Sequence, residues 1–387
     1  MELLLLYVIS GIALLIGTAA IYMTLIEGVS IRWIYYHYFI RKPINWLFMI
    51  SILGWTTYTY IQTGIFPISY TIPTLISVLA LVLSYKMHQE HAFPAVFFPD
   101  ITNNIDRLPL KDDMEMAVIE YNGITKSYPL DYVIHHHIIN DHFHSKTVAL
   151  TYCAMCRSII PFDVTEIGPL FVGSFKNANM IVADKRTKTF FQQATFQSVI
   201  GPLHPYELTM IPFQILSWKE VKQTISAPTV VSITEKDCKS FELPVPGLWK
   251  KISNSETTPG LSGKNRDKTF PSRTRVIGII DATPPYSIVY LKKEILAAKV
   301  VVNKEHGIIL IGTGKTVTAF RNTIGTTPIT LEFSMDTLYD SKNNTRWDRR
   351  GKYLSGEIIR DLEIIAISDE YWFSWIKFHK QSSLIRL

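Results

Sequence analysis

Two long stretches without a single charged residue constrain this chain more than any other feature. Leu3–Ile26 and Pro43–Tyr85 contain no Asp, Glu, Lys or Arg. About 20 consecutive apolar residues, rising 1.5 Å each as a helix, cover the roughly 30 Å of hydrocarbon in a bilayer. The first stretch has the length of one span. The second is interrupted by Gly64, Pro67 and Pro73 and suits two, giving expected helices at about 3–26, 44–65 and 68–85 within a transmembrane region 1–90. Trp46, Trp55, Tyr58, Tyr60, Tyr70 and Tyr85 are placed to anchor at the interfaces. A cleaved signal peptide is the rival reading of the first run, but Met1-Glu2-Leu3-Leu4 lacks a basic opening.

Charge gives the orientation. Arg32, Arg41 and Lys42 lie between the first two runs against Glu27 alone, whereas the Gly64–Pro73 link is uncharged. The positive-inside rule places the first link in the cytoplasm, and three spans then bring the chain beyond Lys86 to the same side. The rest of the chain has ordinary globular composition. Its contribution to the net charge of +6 is spread out, without the basic-aromatic block that tracks phosphates, so nucleic-acid binding is not expected. Three cysteines are too few to staple a disulfide fold.

From residue 91 onward, short β-branched runs alternate with turn signals, as at Met116–Tyr121, Thr147–Tyr152, Val276–Ile280 and Lys299–Val302. Leu130–Ile139 is the best short amphipathic helix. The expected architecture is therefore N-terminal transmembrane α-helices followed by a strand-rich α+β module. An internal repeat divides that module. Asp184 with its polar turn parallels Asp340 with its own, Ile200-Gly201 parallels Ser355-Gly356, Leu208–Ile211 parallels Leu362–Ile365, and Gln214–Trp218 parallels Tyr371–Trp375. This implies two repeated lobes, 91–252 and 275–387, the second degenerate, joined by an exposed Ser/Thr/Gly/Lys-rich linker at 253–274.

Chemistry concentrates in the first lobe. A strand ending in Thr151-Tyr152 delivers Cys153 and Cys156 into a turn, followed by Arg157. Two thiols with this spacing close a small disulfide or hold a thiophilic metal, and a neighbouring cation favours the thiolate needed for either. Two buried small residues are the bland alternative. A structural zinc site would need a second pair of ligands at finger spacing, which is missing. Upstream lie His135, His136, His137, His142 and His144, any of which could serve as base or third ligand. Cys238 reads as an exposed free thiol. Ile311–Thr316 resembles the end of a phosphate loop, but its first glycine would fall at Ile309, which excludes it. The cysteine strand also resembles a thioredoxin active site locally, without the surrounding fold.

In order, Tyr128-Pro129-Leu130, His136, Asn140-Asp141, Thr151–Ser158, Asp184 and Gly201-Pro202-Leu203 resemble the DUF3179 family of uncharacterised bacterial proteins. Some members of that family are described as selenoproteins, which implies redox or metal chemistry at the cysteine motif. Carried over residue by residue, the implied site is Cys153, Cys156, His136, Asn140 and Asp141. Many members are exported or anchored outside, opposite to the side that charge indicates here.

The leading expectation is a multi-pass cell-membrane protein with a thiol-disulfide oxidoreductase role. Cys153 would be the exposed attacking thiol, His136 would move protons, and a redox partner protein would be served. The alternatives are copper or zinc binding and delivery through Cys153, Cys156 and His136, or a non-enzymatic scaffold with a ligand groove between the lobes.

Overall fold

The computed structural model describes residues 1–242, 255–263, 267–282, 285–334 and 337–387. Three helices open the chain: α1 (Glu2–Leu25), α2 (Ile31–Thr63) and α3 (Thr71–Lys86). The break expected at Gly64 is real. It ends α2 in the left-handed conformation, φ 67°, which glycine adopts without a Cβ clash. Helices α1 and α3 pack closely because Gly17 lies against the Ala80 carbonyl, where a Cβ would overlap it.

Two helices, Glu2–Leu25 and Ile68–Lys86, are long and apolar enough to cross a membrane. The expected middle span at 44–65 is the portion of the three-span reading that apolarity does not support. Instead α2 is one 33-residue helix running through Pro43, and the Thr56-Thr57-Tyr58-Thr59-Tyr60 stretch dilutes its C-terminal half. Its N-terminal turns pack on the strand-rich part, with Ile34 against Phe171 and Phe190 and the Tyr35 ring edge-on to Phe190 at 5.0 Å. All three helices expose large apolar side chains, among them Leu4, Leu15, Leu47, Ile50, Leu75 and Val82.

A short helix α4 (Gln89–Ala92) leads into a first run of strands. These are β1 (Val96–Phe97), β2 (Ile101–Thr102), β3 (Glu115–Tyr121), β4 (Ile124–Pro129), β5 (Ile138–Phe143), β6 (Lys146–Cys153), β7 (Ser158–Asp163), β8 (Leu170–Lys176), β9 (Asn179–Asp184), β10 (Phe190–Gln192), β11 (Ser198–Ile200), β12 (Thr209–Met210), β13 (Gln214–Ser217) and β14 (Val230–Val231). The helix α5 (Leu130–His136) follows β4, α6 (Trp218–Thr224) follows β13, and α7 (Glu235–Glu242) follows β14. The sheets run β1-β5-β6-β7-β12, β11-β10-β9-β8 and β13-β3-β4-β14-β2.

The first of these sheets is covered on both faces. Alternate residues of β6 therefore enter different cores: Ala149 and Cys153 join one, while Val148, Leu150 and Tyr152 join the other. That two-sided burial is what fixes the cysteine strand.

The second run contains β15 (Arg275–Ala282), β16 (Pro285–Leu291), β17 (Val300–Asn303), β18 (Ile308–Thr313), β19 (Thr316–Arg321), β20 (Thr323–Ile324), β21 (Thr327–Pro328), β22 (Glu332–Ser334), β23 (Thr337–Asp340), β24 (Thr345–Asp348), β25 (Tyr353–Ser355), β26 (Ile364–Ile365), β27 (Ser368–Tyr371) and β28 (Ser383–Ile385). Its helices are α8 (Lys292–Ala298) and α9 (Trp372–Phe378). The sheets run β27-β15-β16-β28, β17-β18-β19-β26 and β22-β23-β24-β25, with β20-β21 as a separate pair.

The pairings of the two runs share one order. In each, a hairpin (β3–β4, β15–β16) has an antiparallel neighbour (β13, β27) and a parallel one (β14, β28). The helix after each hairpin ends at a non-glycine residue of positive φ, His137 or Lys299, whose carbonyl accepts from Tyr152 N or Gly312 N. Gly201 and Gly356 have φ of 126° and 119°, and a Cβ on either would overlap Thr189 or Thr345.

Strand register pairs Ser217 with Glu115 and Tyr371 with Arg275. The residue equivalent to Trp218 is thus Trp372, the first of its helix, and not Trp375 as the sequence pattern indicated. The repeated Ser-Trp dipeptide matches three positions out of step with the strands.

The segment expected to be an exposed linker is exposed at Glu256, Thr257, Ser262, Lys268 and Thr269 and packed at other described positions. Thr258, Gly260 and Ser272 are buried, because this segment is wedged between the α1–α2 link and the strand-rich part. Ser262 N donates to Glu27, and Gly260 abuts the Thr24 carbonyl and Ala178. The expected boundary at 252 and residues 253, 254 and 264–266 lie outside the described residues. Cys238 is half-buried against the core that holds Tyr128 and Tyr152, not exposed.

Candidate functional site

Strand β6 ends at Cys153, which pairs with Ser158 of β7. The intervening turn, Ala154 to Arg157, carries Cys156 back under Cys153, with Arg157 at φ 58°. The two Sγ atoms are 3.3 Å apart. Both thiols are free and 0% exposed, which corrects the expectation of an exposed attacking Cys153. The strand is buried on both faces, and the turn is roofed by residues far away in the sequence.

The pair is asymmetric. Burial pushes the Cys153 thiol up, but the Cys156 thiol and the backbone N–H groups of Cys156, Met180 and Met155 outweigh it and hold Cys153 below its ordinary value. Cys156 is pushed well above, first by burial, then by its bond to Cys153 and that neighbour's charge, then by Glu370. Its Sγ donates to Ala178 O at 3.0 Å and accepts from Asn179 Nδ2 at 3.2 Å. Cys153 is thus the more acidic thiol of the pair.

A buried amide network stands behind the sulfurs. Asn179 and Ser158 both donate to Gln193 Oε1, at 3.3 and 2.9 Å, and Gln193 Nε2 donates to Thr151 Oγ1 at 2.9 Å. Each buried polar group thereby gains a partner, as burial requires.

The roof comes from the second run of strands. Tyr371 N donates to Cys156 O at 3.0 Å, Arg273 Nη1 donates to Met155 O at 2.7 Å, and Phe373 joins the core that holds both cysteines. The Arg273 guanidinium lies 4.8 Å from the Phe373 ring centre and close enough to the thiols to feel their charge. Glu370, 1% exposed, accepts from Ser368 Oγ at 2.6 Å, and burial pushes its carboxyl up to about 7. The Ser374 hydroxyl, 0% exposed, is near enough to Cys156 and Glu370 to lower the pKa of each.

The other expected site residues are held elsewhere. His136 Nδ1 lies 3.0 Å from Pro94 O, and its ring packs on Tyr132 and His135. It does not join the sulfurs, and the described residues contain no cluster of three His, Cys, Asp or Glu able to hold a metal ion. The Cys/Cys/His ligand set is therefore not assembled, because α5 turns its histidines toward the α4–β1 connection. Asn140 ties β5 to β1 and β8 through Val96 O, Leu170 O and Leu170 N. Asp141 accepts from Lys126 Nζ at 2.8 Å and Tyr128 OH at 2.7 Å. Both are engaged within the first run of strands and apart from the sulfurs. Arg157 reaches Glu115 at 3.2 Å, while Arg273 is the cation on which the charge of the thiols acts.

Sequence reasoning missed Asn179, Gln193, Arg273, Glu370 and Ser374. A carboxylate beside the apolar run Tyr371–Trp375 was the available signal for the last pair.

A family model described as "Protein of unknown function (DUF3179)" matches residues 90–382. No curated protein and no solved structure matches the chain.

Proposed function

From the premise that this chain belongs to the DUF3179 family, we propose that it is a membrane-attached thiol protein. In this reading the Cys153–Cys156 pair is oxidised to a disulfide by a small peroxide and later reduced again. The observation that carries it is the pair itself, two free sulfurs 3.3 Å apart, with the Cys153 thiol held below its ordinary value and the Cys156 thiol well above it. Burial of both thiols argues for an oxidant the size of water and against direct exchange with a partner protein. The dithiol gives up two electrons, the peroxide O–O bond breaks, and two waters form.

The helices with exposed apolar faces support attachment to a bilayer. Arg32, Arg41, Lys42 and Lys86 lie at the end of the helices that meets the strand-rich part, where Lys377 bonds Glu27 at 2.8 Å. By the positive-inside rule, that part faces the cytoplasm. The matching strand orders and paired glycines support two lobes derived by duplication.

The test uses the full chain in detergent. Peroxide is added to the reduced protein, and thiols are counted by mass tagging after denaturation. The expected result is joint loss of the Cys153 and Cys156 thiols with Cys238 retained, abolished by Cys153→Ser. Two thiols still free after excess peroxide would overturn the reading. So would stoichiometric copper or zinc in protein purified without an affinity tag.

A further inference from the structure

We propose that Glu370, acting through the Ser374 hydroxyl, takes the proton of Cys156 when the disulfide closes, so that the second run of strands is a working part of the site. This rests on the peroxide reading above and assigns it a proton path.

In equivalent registers, β13 carries Leu216 and β27 carries Glu370. Leu216 is an ordinary core residue, 2% exposed. Glu370 puts a carboxyl into the same kind of place, at the cost of desolvating it. Its Oε1 accepts from Ser368, while Oε2 forms no hydrogen bond. The adjacent Asp369 points to the other face of the strand, where Lys292 at 2.6 Å and Arg275 neutralise it. Glu370 has no such cation among the described residues.

The ionisable groups that act on Glu370 are Cys156 from the β6–β7 turn and Asp369 on its own strand, while Arg273, ahead of β15, acts on the two cysteines. Arg273 is engaged with Met155 O, Ser255 O and Thr258. Cys156 is the group whose proton must move during closure; its S–H faces Ala178 O, and the Ser374 hydroxyl, buried without a hydrogen-bond partner, is near enough to Cys156 and Glu370 to act on both.

The chemistry balances in two steps. Cys153 thiolate attacks one peroxide oxygen, the O–O bond breaks, and the departing hydroxide takes a proton from solvent. This leaves Cys153 as a sulfenic acid and one water. In the second step the Cys156 proton passes by Ser374 to the Glu370 carboxylate, and the Cys156 sulfur attacks the Cys153 sulfur. The S–O bond breaks, and the leaving hydroxide recovers the proton from Glu370 as the second water. The carboxylate is restored, and no other reductant or oxidant is needed. Because burial raises the carboxyl to about 7, its ionised fraction changes across the range where a base is useful.

The experiment monitors both steps in the full chain. Sulfenic acid is trapped with a dimedone-type reagent, and disulfide is counted by mass tagging, from pH 6 to 8. The wild-type closure rate is expected to rise with pH through about 7. Glu370→Gln should leave the first step unchanged, slow closure about 100-fold, flatten its pH profile and accumulate trapped sulfenic acid. Glu370→Asp should restore part of the rate, and Ser374→Ala should slow closure likewise. Glu370→Leu, which installs the residue that β13 carries, provides a second folded variant with the same block. Closure in Glu370→Gln and Glu370→Leu at the wild-type rate and pH profile would overturn the inference. Failure of wild type to form any disulfide would instead defeat the peroxide reading.

Discussion

Replacing Glu370 with glutamine has a stability consequence that is independent of any chemistry at the sulfurs. Burial raises the folded-state carboxyl from 4.5 to about 7, so folding favours its protonated form. Stability contributed by that proton is complete below about 4.5, falls as pH rises toward 7, and levels off above it. At about 1.4 kcal/mol per tenfold, the full loss is about 3 kcal/mol. Two buried histidines work in the opposite direction: burial pushes His137 and His379 down to about 4, so they cost stability as pH falls from 6.5 toward 4. Subtracting one chain from the other removes the histidines. Glutamine keeps an acceptor for Ser368 and cannot ionise. The Glu370→Gln chain should therefore gain on wild type progressively between pH 5 and 7.5 and stay about 3 kcal/mol ahead at pH 8. The assay is denaturant or thermal unfolding of the detergent-solubilised chain, read by tryptophan fluorescence. A difference between the two proteins that does not change with pH would refute the reasoning, since it would mean that Glu370 is ionised in both states across this range.

The geometry sets three further outcomes. Gly201→Ala and Gly356→Ala each force a Cβ into a threonine backbone at a φ that alanine avoids, so each should cost about 2 kcal/mol or more in unfolding experiments; a loss below about 0.5 kcal/mol would contradict the close approach. Asp141→Asn leaves Lys126 facing an amide and should destabilise by about 3 kcal/mol, while His136→Ala should not alter the pH dependence of Cys153 alkylation in unfolded-corrected assays; a shifted profile in the latter would return His136 to the site. Gly17→Val should separate α1 from α3 at the Ala80 carbonyl, seen as faster proteolysis in the 64–70 link with disulfide closure unaffected; unchanged proteolysis would show that the helices do not depend on this approach.

The features that could be read from the sequence are those set by local chemistry. Charge-free length gave α1 and α3 but not the start of α2, which runs from Ile31 through Arg32, Arg41 and Lys42; Gly64 gave the break between α2 and the third apolar run because only a left-handed residue caps α2 there. Period-two runs gave β3, β6 and β15 within a residue or two. What sequence could not supply was the face to which a side chain turns. His136 is only 17 positions from Cys153 in the chain, yet α5 directs it toward Pro94. Arg273 is 117 positions beyond Cys156, yet donates to the carbonyl preceding it. The Trp218 parallel failed for a related reason: residue identity matched Trp375, whereas hydrogen-bond register, which sets which side chains face inward, matches Trp372.

The same register shows where the two runs of strands differ. The turn that lies in the second run where the first has Ala154–Arg157 is only Gly314-Lys315, between β18 and β19, so it has no place for a thiol pair. At β27, however, two charged residues stand where β13 has Ile215 and Leu216. Asp369 is matched by two cations and is accounted for as an internal ion cluster. Glu370 is matched by none among the described residues, and an isolated buried carboxyl opposes folding unless it is protonated. A leucine there would remove that cost, as it does in β13. The carboxyl's position beside Ser374 and near Cys156 is what distinguishes it from a packing residue, and under the proposed peroxide chemistry the contact between the two runs of strands, and not either run alone, is the unit on which closure would depend.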